Sequence, residues 1–394
     1  MVVSSTNGAP MEQGRPESAH RSWKTEPTLT EVLILTVVCY LIYVGLIVLL
    51  DNYALQVKTF GDNKPYVAIA TAIRHWDFAS LRTWQLWGLP YAMVAFSFLT
   101  HTSFLTALLV ISVACSFLTV AISDRLWGGW VAALFATVSR EWMERSLLGG
   151  AEPLFLALVV GSFLAARRQR WLVASLLASL STIVRPMGIF VLVAVGIVLL
   201  LRKQFKTLAA ATLIGIFVGG LYVVPFKVYQ GNSFENVQAY GQADGSQGMP
   251  ITYPFLAIIR RPALGPVTAE KEVTSGKTTQ LNLARTAMWI SVVLLGVVAM
   301  FLNKGFRAFA RNHTVEVLFC ALYIALLFTY NSAWARTAFP RYAIPVLPFL
   351  ILAFERWIPK DRRFLWAFAL ASTVLSAFST LGITNSIAIV RRVL

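Results

Sequence analysis

Apolar runs that are long enough, or nearly long enough, to cross a bilayer alternate with short basic stretches along most of the chain. The first run, Val32–Leu50, lacks the small-residue cleavage pattern of a signal peptide, so we interpret it as an uncleaved membrane anchor. The whole pattern predicts an all-α polytopic membrane protein with about eleven transmembrane helices. Further spans are predicted near 103–122, 128–146, 153–166, 171–184, 188–201, 207–226, 286–302, 314–330, 342–355 and 364–383.

The stretch Phe60–Arg82 differs from these runs, because it gathers charged and aromatic residues in a chain that is otherwise mostly apolar. Apolar residues recur at helical spacing from Tyr66 to Ile73, which predicts a short amphipathic helix on the membrane surface. The next segment, Trp84–Thr100, is apolar but short and contains Pro90. We expect it to stay on the outer side as an interfacial or re-entrant helix.

Basic residues set the predicted orientation of the spans. If Trp84–Thr100 stays outside, most basic clusters fall in short loops on one side, as the positive-inside rule requires of the cytoplasmic side. The N terminus is then cytoplasmic, and long loops near 51–102 and 227–285 face outside. The basic loop residues assigned to the cytoplasm are Arg125, Arg167, Arg168, Arg170, Arg202, Lys203, Lys206, Lys304, Arg307, Arg311, Arg356, Lys360, Arg362 and Arg363.

Composition supports the membrane class. Hydrophobic residues make up 57% of the 394 residues and charged residues 13%, whereas soluble domains have roughly 45–50% and 25%. The net charge of +16 is explained by the short cytoplasmic loops, so no nucleic-acid partner is implied. The three cysteines lie in apolar runs without CxxC spacing and indicate neither a zinc site nor a disulfide. Residues 1–27 are polar and predict a disordered cytoplasmic tail before a single membrane domain over 28–394.

Two carboxylates and two arginines stand out, because they fall in four separate connections that the topology places on the outer face. These residues are Asp62, Glu152, Arg185 and Arg341. A carboxylate can take a proton from a hydroxyl, while arginines can hold a phosphate whose negative charge grows as it leaves. Transfer of a sugar from a lipid phosphate needs this pairing. A lipid tail between helices would also explain why such chemistry occurs in so apolar a chain.

Three of these four residues also have a simpler interpretation. Asp62 begins the sequence Asp-Asn-Lys-Pro, which fits a helix N-cap. Glu152 precedes a proline and an apolar run, where a carboxylate favours the start of a helix. Arg185 fits a snorkelling arginine on a tight turn. Arg341 lies outside against the positive-inside bias, which favours phosphate binding.

The order of several segments resembles the GT-C glycosyltransferases, integral membrane enzymes that use polyprenyl- or dolichyl-phosphate sugars. The segments GDNKPYVAIATAIR, LWGLPYAMVAF and GAEPLFLALVVGSFLAARRQRWLVASLLASLSTIVRPMGIFVLV resemble the first half of that superfamily. YQGNSFENVQAYGQADG, ITYPFLAIIRR and PRYAIPVLPFLIL are similar to the branch that contains the second-mannose transferase of glycosylphosphatidylinositol assembly and its bacterial relatives. The resemblance covers most of residues 50–355.

The resemblance implies roles for particular residues. Asp62 matches the family's catalytic acid in the first outer loop, and Glu152 matches the acid before the fourth span, so both are assigned to catalysis. Arg185 matches an arginine–proline element of the family. The residues assigned to substrate binding are Arg185, Arg341, Arg74, His75 and Tyr66.

The chain departs from the family at Asn63, where a second acidic residue often follows the first. This departure leaves open whether Asp62 acts alone, with Glu152 or with Asp77, and it weakens the case for a bound metal. His75 also lacks metal-ligand spacing. We therefore expect no metal and no cofactor, with a divalent ion as the alternative.

The leading hypothesis is an inverting transfer of a hexose, with mannose as the expected sugar, from a polyprenyl-phosphate donor. The acceptor would be a hydroxyl of a glycan, a lipid or a protein at the outer face of a bacterial inner membrane. The alternative is a polytopic transporter or lipid flippase, and a non-catalytic membrane scaffold is a third reading. A transporter is expected to place ionisable residues at mid-membrane on broken helices, whereas the charges here gather at span ends and in loops.

Overall fold

A computed structural model describes residues 26–79, 85–232, 251–260, 278–332, 335 and 338–381. Nearly all of the predicted tail, and residues 233–250 and 261–277 of the second predicted outer loop, lie outside the described residues. The helices are α1 (Leu29–Leu50), α2 (Tyr53–Thr59), α3 (Asn63–Arg74), α4 (Gly88–Thr100), α5 (Phe104–Trp127), α6 (Gly129–Val138), α7 (Arg140–Leu147), α8 (Glu152–Arg167), α9 (Trp171–Val184), α10 (Ile189–Leu201), α11 (Phe205–Gln230), α12 (Leu256–Arg260), α13 (Thr278–Leu302), α14 (Lys304–Asn312), α15 (Thr314–Thr329), α16 (Phe339–Tyr342), α17 (Leu347–Phe354) and α18 (Arg362–Leu381).

The helices confirm an all-α polytopic membrane protein. Among the described residues, five helices are long and apolar enough to cross a membrane, namely α1, α5, α11, α13 and α18. Two sharply bent pairs, α7 with α8 and α14 with α15, raise the number to seven if each pair is one span. The predicted total of about eleven spans exceeds the seven that length and composition give among the described residues, and the four shorter apolar helices of 10–17 residues include α4, which was expected to stay outside.

The predicted span near 128–146 is two helices rather than one. α6 ends at Val138, and Ser139 caps α7 by accepting a hydrogen bond from the backbone N–H of Trp142 at 3.3 Å. α7 then turns by 106° relative to α8. The physical reason is the composition of α7, since its four charged side chains favour an end of the bundle over the hydrocarbon core.

The amphipathic helix predicted in the first outer loop is present as α3, which begins three residues earlier than the apolar pattern. Its apolar side chains, including Tyr66 and Ile73, are buried, while its other face is exposed. α3 packs against α4 and α5. The N-terminal residue of α4, Gly88, lies so close to α9 that a Cβ atom would come within 2.6 Å of the carbonyl oxygen of Ile183. Glycine is therefore required where α4 crosses the end of α9.

Helix α8 defines two ends of the bundle, which we call the Glu152 end and the Arg167 end, about 24 Å apart. Arg167 donates to both carboxylate oxygens of Glu316, at 2.7 and 2.9 Å, and to the carbonyl oxygen of Leu126 at 2.8 Å. Other contacts at this end join further predicted cytoplasmic loops, so these loops share one end of the structure. They include Arg202 over the Trp171 ring, Arg202 with Gln169, Lys360 over the Trp130 ring, and Arg362 with Glu31.

The orientation of this bundle can be tested with single cysteines at its two ends. Lys64, on α3, and Arg168, after α8, are both exposed. We expect Lys64→Cys to react with a membrane-impermeant thiol reagent added outside intact cells, and Arg168→Cys to react only after permeabilisation. Native cysteines replaced by alanine give the control background. Labelling of Arg168→Cys from outside would reverse the predicted orientation.

Candidate functional site

The four charged residues that the sequence places on one face lie together at the Glu152 end. Arg341 connects the two carboxylates, because its Nη2 lies 3.3 Å from Asp62 Oδ2 while its Nε donates to Glu152 Oε1. Arg185 Nη2 donates to the same Glu152 oxygen at 2.6 Å. The turn between α2 and α3, the start of α8, the end of α9 and helix α16 thus meet at one cluster.

A third arginine, Arg145 of α7, belongs to this cluster and was not singled out from the sequence. Its Nε lies 3.8 Å from Glu152 Oε1, and its guanidinium lies 4.4 Å from the centre of the Phe60 ring. Gly61 and Gly150 leave space for the Arg145 side chain. A Cβ atom on Gly61 would lie 2.7 Å from it, and a Cβ atom on Gly150 would lie 2.8 Å from it. The usable signal in the sequence was an arginine shortly before the pair Gly149–Gly150.

The cluster has an excess of positive charge. Among the described residues it contains three guanidiniums, those of Arg145, Arg185 and Arg341, and two carboxylates. The arginine side chains are only 12%, 14% and 19% exposed. Arg145 Nη1 and Arg185 Nε are buried without an acceptor among the described residues. A buried site with surplus donors and a surplus positive charge suits an anion.

Asp62 occupies the N-cap position of α3, but its side chain does not cap the helix. Instead Oδ2 faces Arg341, and Oδ1 accepts from Gln85 Nε2 at 3.3 Å. Burial acts to raise the pKa of Asp62, but the guanidiniums of Arg341 and Arg145 outweigh burial and lower the pKa below its ordinary value of 3.8. With 29% of its side chain exposed, Asp62 is an ionised carboxylate that a substrate can reach.

Glu152 differs from Asp62 because it is enclosed by arginines. Its side chain is 3% exposed, and its Oε1 contacts Arg185, Arg341 and Arg145. Its Oε2 is buried without a donor among the described residues. The carboxylate is therefore engaged with guanidiniums rather than with the N-terminal N–H groups of α8. Its evident effect is to hold three cations together.

Asn63, where the family often has a second acid, has a structural role. Its fully buried Nδ2 donates to the carbonyl oxygens of Val57 and Leu148, each at 2.7 Å. These two bonds tie α2 and the start of α3 to the loop before α8. Gly149, in that loop, has φ +101° and lies against the Asn63 amide, with no room for a Cβ atom. An ionised aspartate has no donor and could not replace this amide.

The other predicted substrate-binding residues divide into two groups. Tyr66 is buried one turn after Asp62, and its pKa is raised by burial and by the neighbouring Asp62 carboxylate. Arg74 and His75 lie at the opposite end of α3, about 18 Å from Asp62 along the helix axis, and both are exposed. Arg74 lies over the ring of Phe104. The structure thus brings Tyr66 to the cluster and leaves Arg74 and His75 outside it.

An apolar groove of about 890 Å³ lies beside the cluster. Residues of α3, α4, α8, α9 and α11 line it, and nearly all of them are apolar or aromatic. Two residues that line the groove are close neighbours of cluster residues in the sequence. Leu154 follows Glu152 by two positions, and Val184 immediately precedes Arg185. The arginine cluster and the apolar groove are therefore joined through α8 and α9, which suits an amphipathic ligand.

The described residues contain no group of three or more His, Cys, Asp and Glu side chains placed to hold a metal ion. Both carboxylates of the cluster are engaged with arginines. The local chemistry thus suits an anion better than a cation.

No protein family model matches the chain, and no curated protein matches it. Among solved structures, the chain is similar to the crystal structure of ArnT from Cupriavidus metallidurans bound to undecaprenyl phosphate. The identity is 14% and the TM-score 0.48, over 92% of this chain and 72% of that chain.

The role of Asn63 can be tested by Asn63→Asp. The change removes two buried hydrogen bonds and adds a charge near Asp62, so we expect the free energy of unfolding to fall by about 3 kcal/mol or more. Asn52→Asp is a matched control, because the side-chain oxygen of Asn52 accepts from the backbone N–H of Leu55 and aspartate keeps that acceptor. Thermal unfolding in detergent measures both variants. Equal midpoints for Asn63→Asp and the unchanged protein would contradict the structural role.

Proposed function

We propose that the protein is a membrane glycosyltransferase of the GT-C type, which transfers a hexose from a polyprenyl-phosphate donor to a hydroxyl acceptor with inversion. Mannose is the expected sugar, and the outer face of a bacterial inner membrane is the expected location. One observation carries the proposal: a buried, net-positive arginine cluster with one accessible carboxylate lies beside an apolar groove. The resemblance of the sequence to the GT-C superfamily supports the same class.

The donor would divide between the two parts of the site. Its prenyl tail would lie in the apolar groove, where burial of each CH₂ group contributes about 0.8 kcal/mol. Its phosphate would lie against Arg185, Arg341 and Arg145. Two of these, Arg145 and Arg185, have N–H groups without an acceptor in the described part of the chain. Because the sugar–phosphate bond breaks during transfer, these guanidiniums would stabilise the negative charge that grows on the leaving phosphate.

Asp62 would act as the general base. Its carboxylate would take the proton of the acceptor hydroxyl, whose oxygen would then bond to the anomeric carbon on the face opposite the departing phosphate. Such a displacement inverts the anomeric centre. In the resting protein Arg341 lowers the pKa of Asp62. A bound phosphate would compete for Arg341, which would raise the basicity of Asp62 when substrate is present.

Glu152 would position the arginines rather than take part in proton transfer. Its Oε1 contacts all three guanidiniums, and its side chain is almost completely buried. A buried carboxylate in this position keeps three like charges together, which would otherwise repel one another. This role differs from the catalytic role that the family resemblance implies for Glu152.

We expect Asp62→Asn to reduce sugar transfer by about 10²–10⁴-fold while the protein keeps its stability, because the side chain does not cap α3. Asp51→Asn is the matched control, since Asp51, between α1 and α2, is an exposed carboxylate that accepts from the backbone N–H of Asn52 and from the side chain of Gln56. Transfer is measured with radiolabelled polyprenyl-phosphate hexoses, mannose among them, and purified protein.

The same assay separates the roles of the two carboxylates. Glu152→Gln should lower the melting temperature as well as transfer, because three arginines lose their shared negative charge. Near-normal transfer by Asp62→Asn would remove its catalytic role. Donor movement across vesicles, without transfer of any hexose, would favour the transporter or flippase alternative.

We expect Arg185→Lys and Arg341→Lys to raise the KM for the donor by about tenfold or more, because lysine keeps the charge but loses the planar fork. Arg202→Lys is the control, since Arg202 lies at the Arg167 end and bonds to Gln169. Steady-state kinetics with varied donor measure the effect. An unchanged KM for the donor in both cluster variants would contradict donor binding by these arginines and leave them a structural role only.

A further inference from the structure

Helix α11 forms one wall of the apolar groove and has the smallest buried fraction of the five long apolar helices described. Within its apolar 18-residue stretch only 11% of the residues are buried, compared with 28–44% in the other four candidate spans. Side chains along it, including Phe217 and Val224, line the groove and are largely exposed. In a membrane protein such an exposed apolar face lies against lipid. The α11 wall thus separates the groove from the bilayer.

Within this wall, the segment Gly219–Pro225 is built of poor helix formers. Pro225 has no N–H group, so the carbonyl oxygen of Leu221, four residues earlier, loses its helical hydrogen bond. Gly219 and Gly220 are unfavourable in a helix interior, and no packing explains them, because a Cβ atom on either would meet nothing within 4 Å. The helix is therefore weakest where it lines the groove.

One side chain from the opposite wall compensates for this weakness. The hydroxyl of Tyr91, on α4, donates to the carbonyl oxygen of Leu221 at 3.0 Å. Tyr91, Leu221 and Pro225 all line the groove. Beyond the proline, Phe226 stacks on Trp87 with ring centres 4.2 Å apart. The contact across the groove thus combines one hydrogen bond to an otherwise unpaired carbonyl with a stacked aromatic pair.

We propose that Gly219–Pro225 is a hinge, latched by Tyr91, through which the groove opens sideways to admit the prenyl tail of a lipid phosphate from the bilayer. The proposal rests on the proposed function for the identity of the lipid. The hinge itself rests on the backbone chemistry of α11. Entry of a long prenyl chain from water would expose its apolar surface at a high cost in free energy. Movement of α11 away from α4 would let the chain pass from the bilayer into the groove without contact with water.

Hydrogen exchange of the full chain in lipid nanodiscs, without added substrate, tests the hinge. Tyr91→Phe keeps the ring but removes the latch, and we expect exchange of the amides in 222–230 to rise about three- to tenfold, as the loss of one hydrogen bond predicts. The double change Gly219→Ala and Gly220→Ala should lower that exchange, because alanine favours the helix and the space for both methyl groups is free. Gly45→Ala in α1, where the space is equally free, is the matched control.

Association of a fluorescent polyprenyl phosphate with the same nanodiscs tests the opening. We expect the double alanine variant to bind the long-chain lipid at least threefold more slowly than Gly45→Ala does. A phosphate with only two isoprene units should bind the two variants at equal rates.

Equal exchange in Tyr91→Phe and the unchanged protein would overturn the hinge. Altered exchange with unaltered lipid association would overturn its role in admitting the tail. Neither result depends on sugar transfer, so the two proposals fail separately.

Discussion

One carboxylate oxygen, Glu152 Oε1, organises the Glu152 end of the bundle. It contacts Arg185 from the end of α9, Arg341 from α16 and Arg145 from α7. Three buried guanidiniums repel one another, and each loses hydration on burial, so they can share a site only around a buried negative charge. Because these arginines come from distant parts of the sequence, the position of their helices depends on this one group.

Around that oxygen, one side of the site is fixed by hydrogen bonds to backbone. Asn63 holds the carbonyls of Val57 and Leu148, and Ser112 exchanges hydrogen bonds with the backbone of Gly150. Asp62 lies between these two anchored segments, so its carboxylate has a defined position although its side chain is not a helix cap. The opposite side, along α11, has few buried residues and a weakened helix. A fixed reactive side and an apolar side with few buried residues suit a site that receives a long apolar ligand.

Charged residues at the two ends of α8 are used differently. At the Arg167 end, Arg167 and Glu316 form a closed pair with two hydrogen bonds between them, and a carbonyl takes a further donor of the arginine. At the Glu152 end, among the residues that the structure describes, guanidiniums outnumber carboxylates and some donors have no acceptor. The first arrangement joins helices and leaves little capacity for a ligand, while the second has capacity for an anion. Burial of charge alone therefore does not identify a site; the balance of donors and acceptors does.

The sequence alone determined the membrane class, the positions of most helices and the amphipathic helix α3, because these depend on local hydrophobic pattern and length. It also indicated that Asp62, Glu152, Arg185 and Arg341 share one face. The number of spans between two connections decides whether they lie on the same side of the membrane. Only the tertiary structure decided which of them touch. It added Arg145, separated Arg74 from the cluster, divided the span near 128–146 at Ser139, and gave Asn63 a backbone-tying role. These facts depend on contacts between residues far apart in sequence, whose distances and hydrogen-bond partners no local pattern encodes.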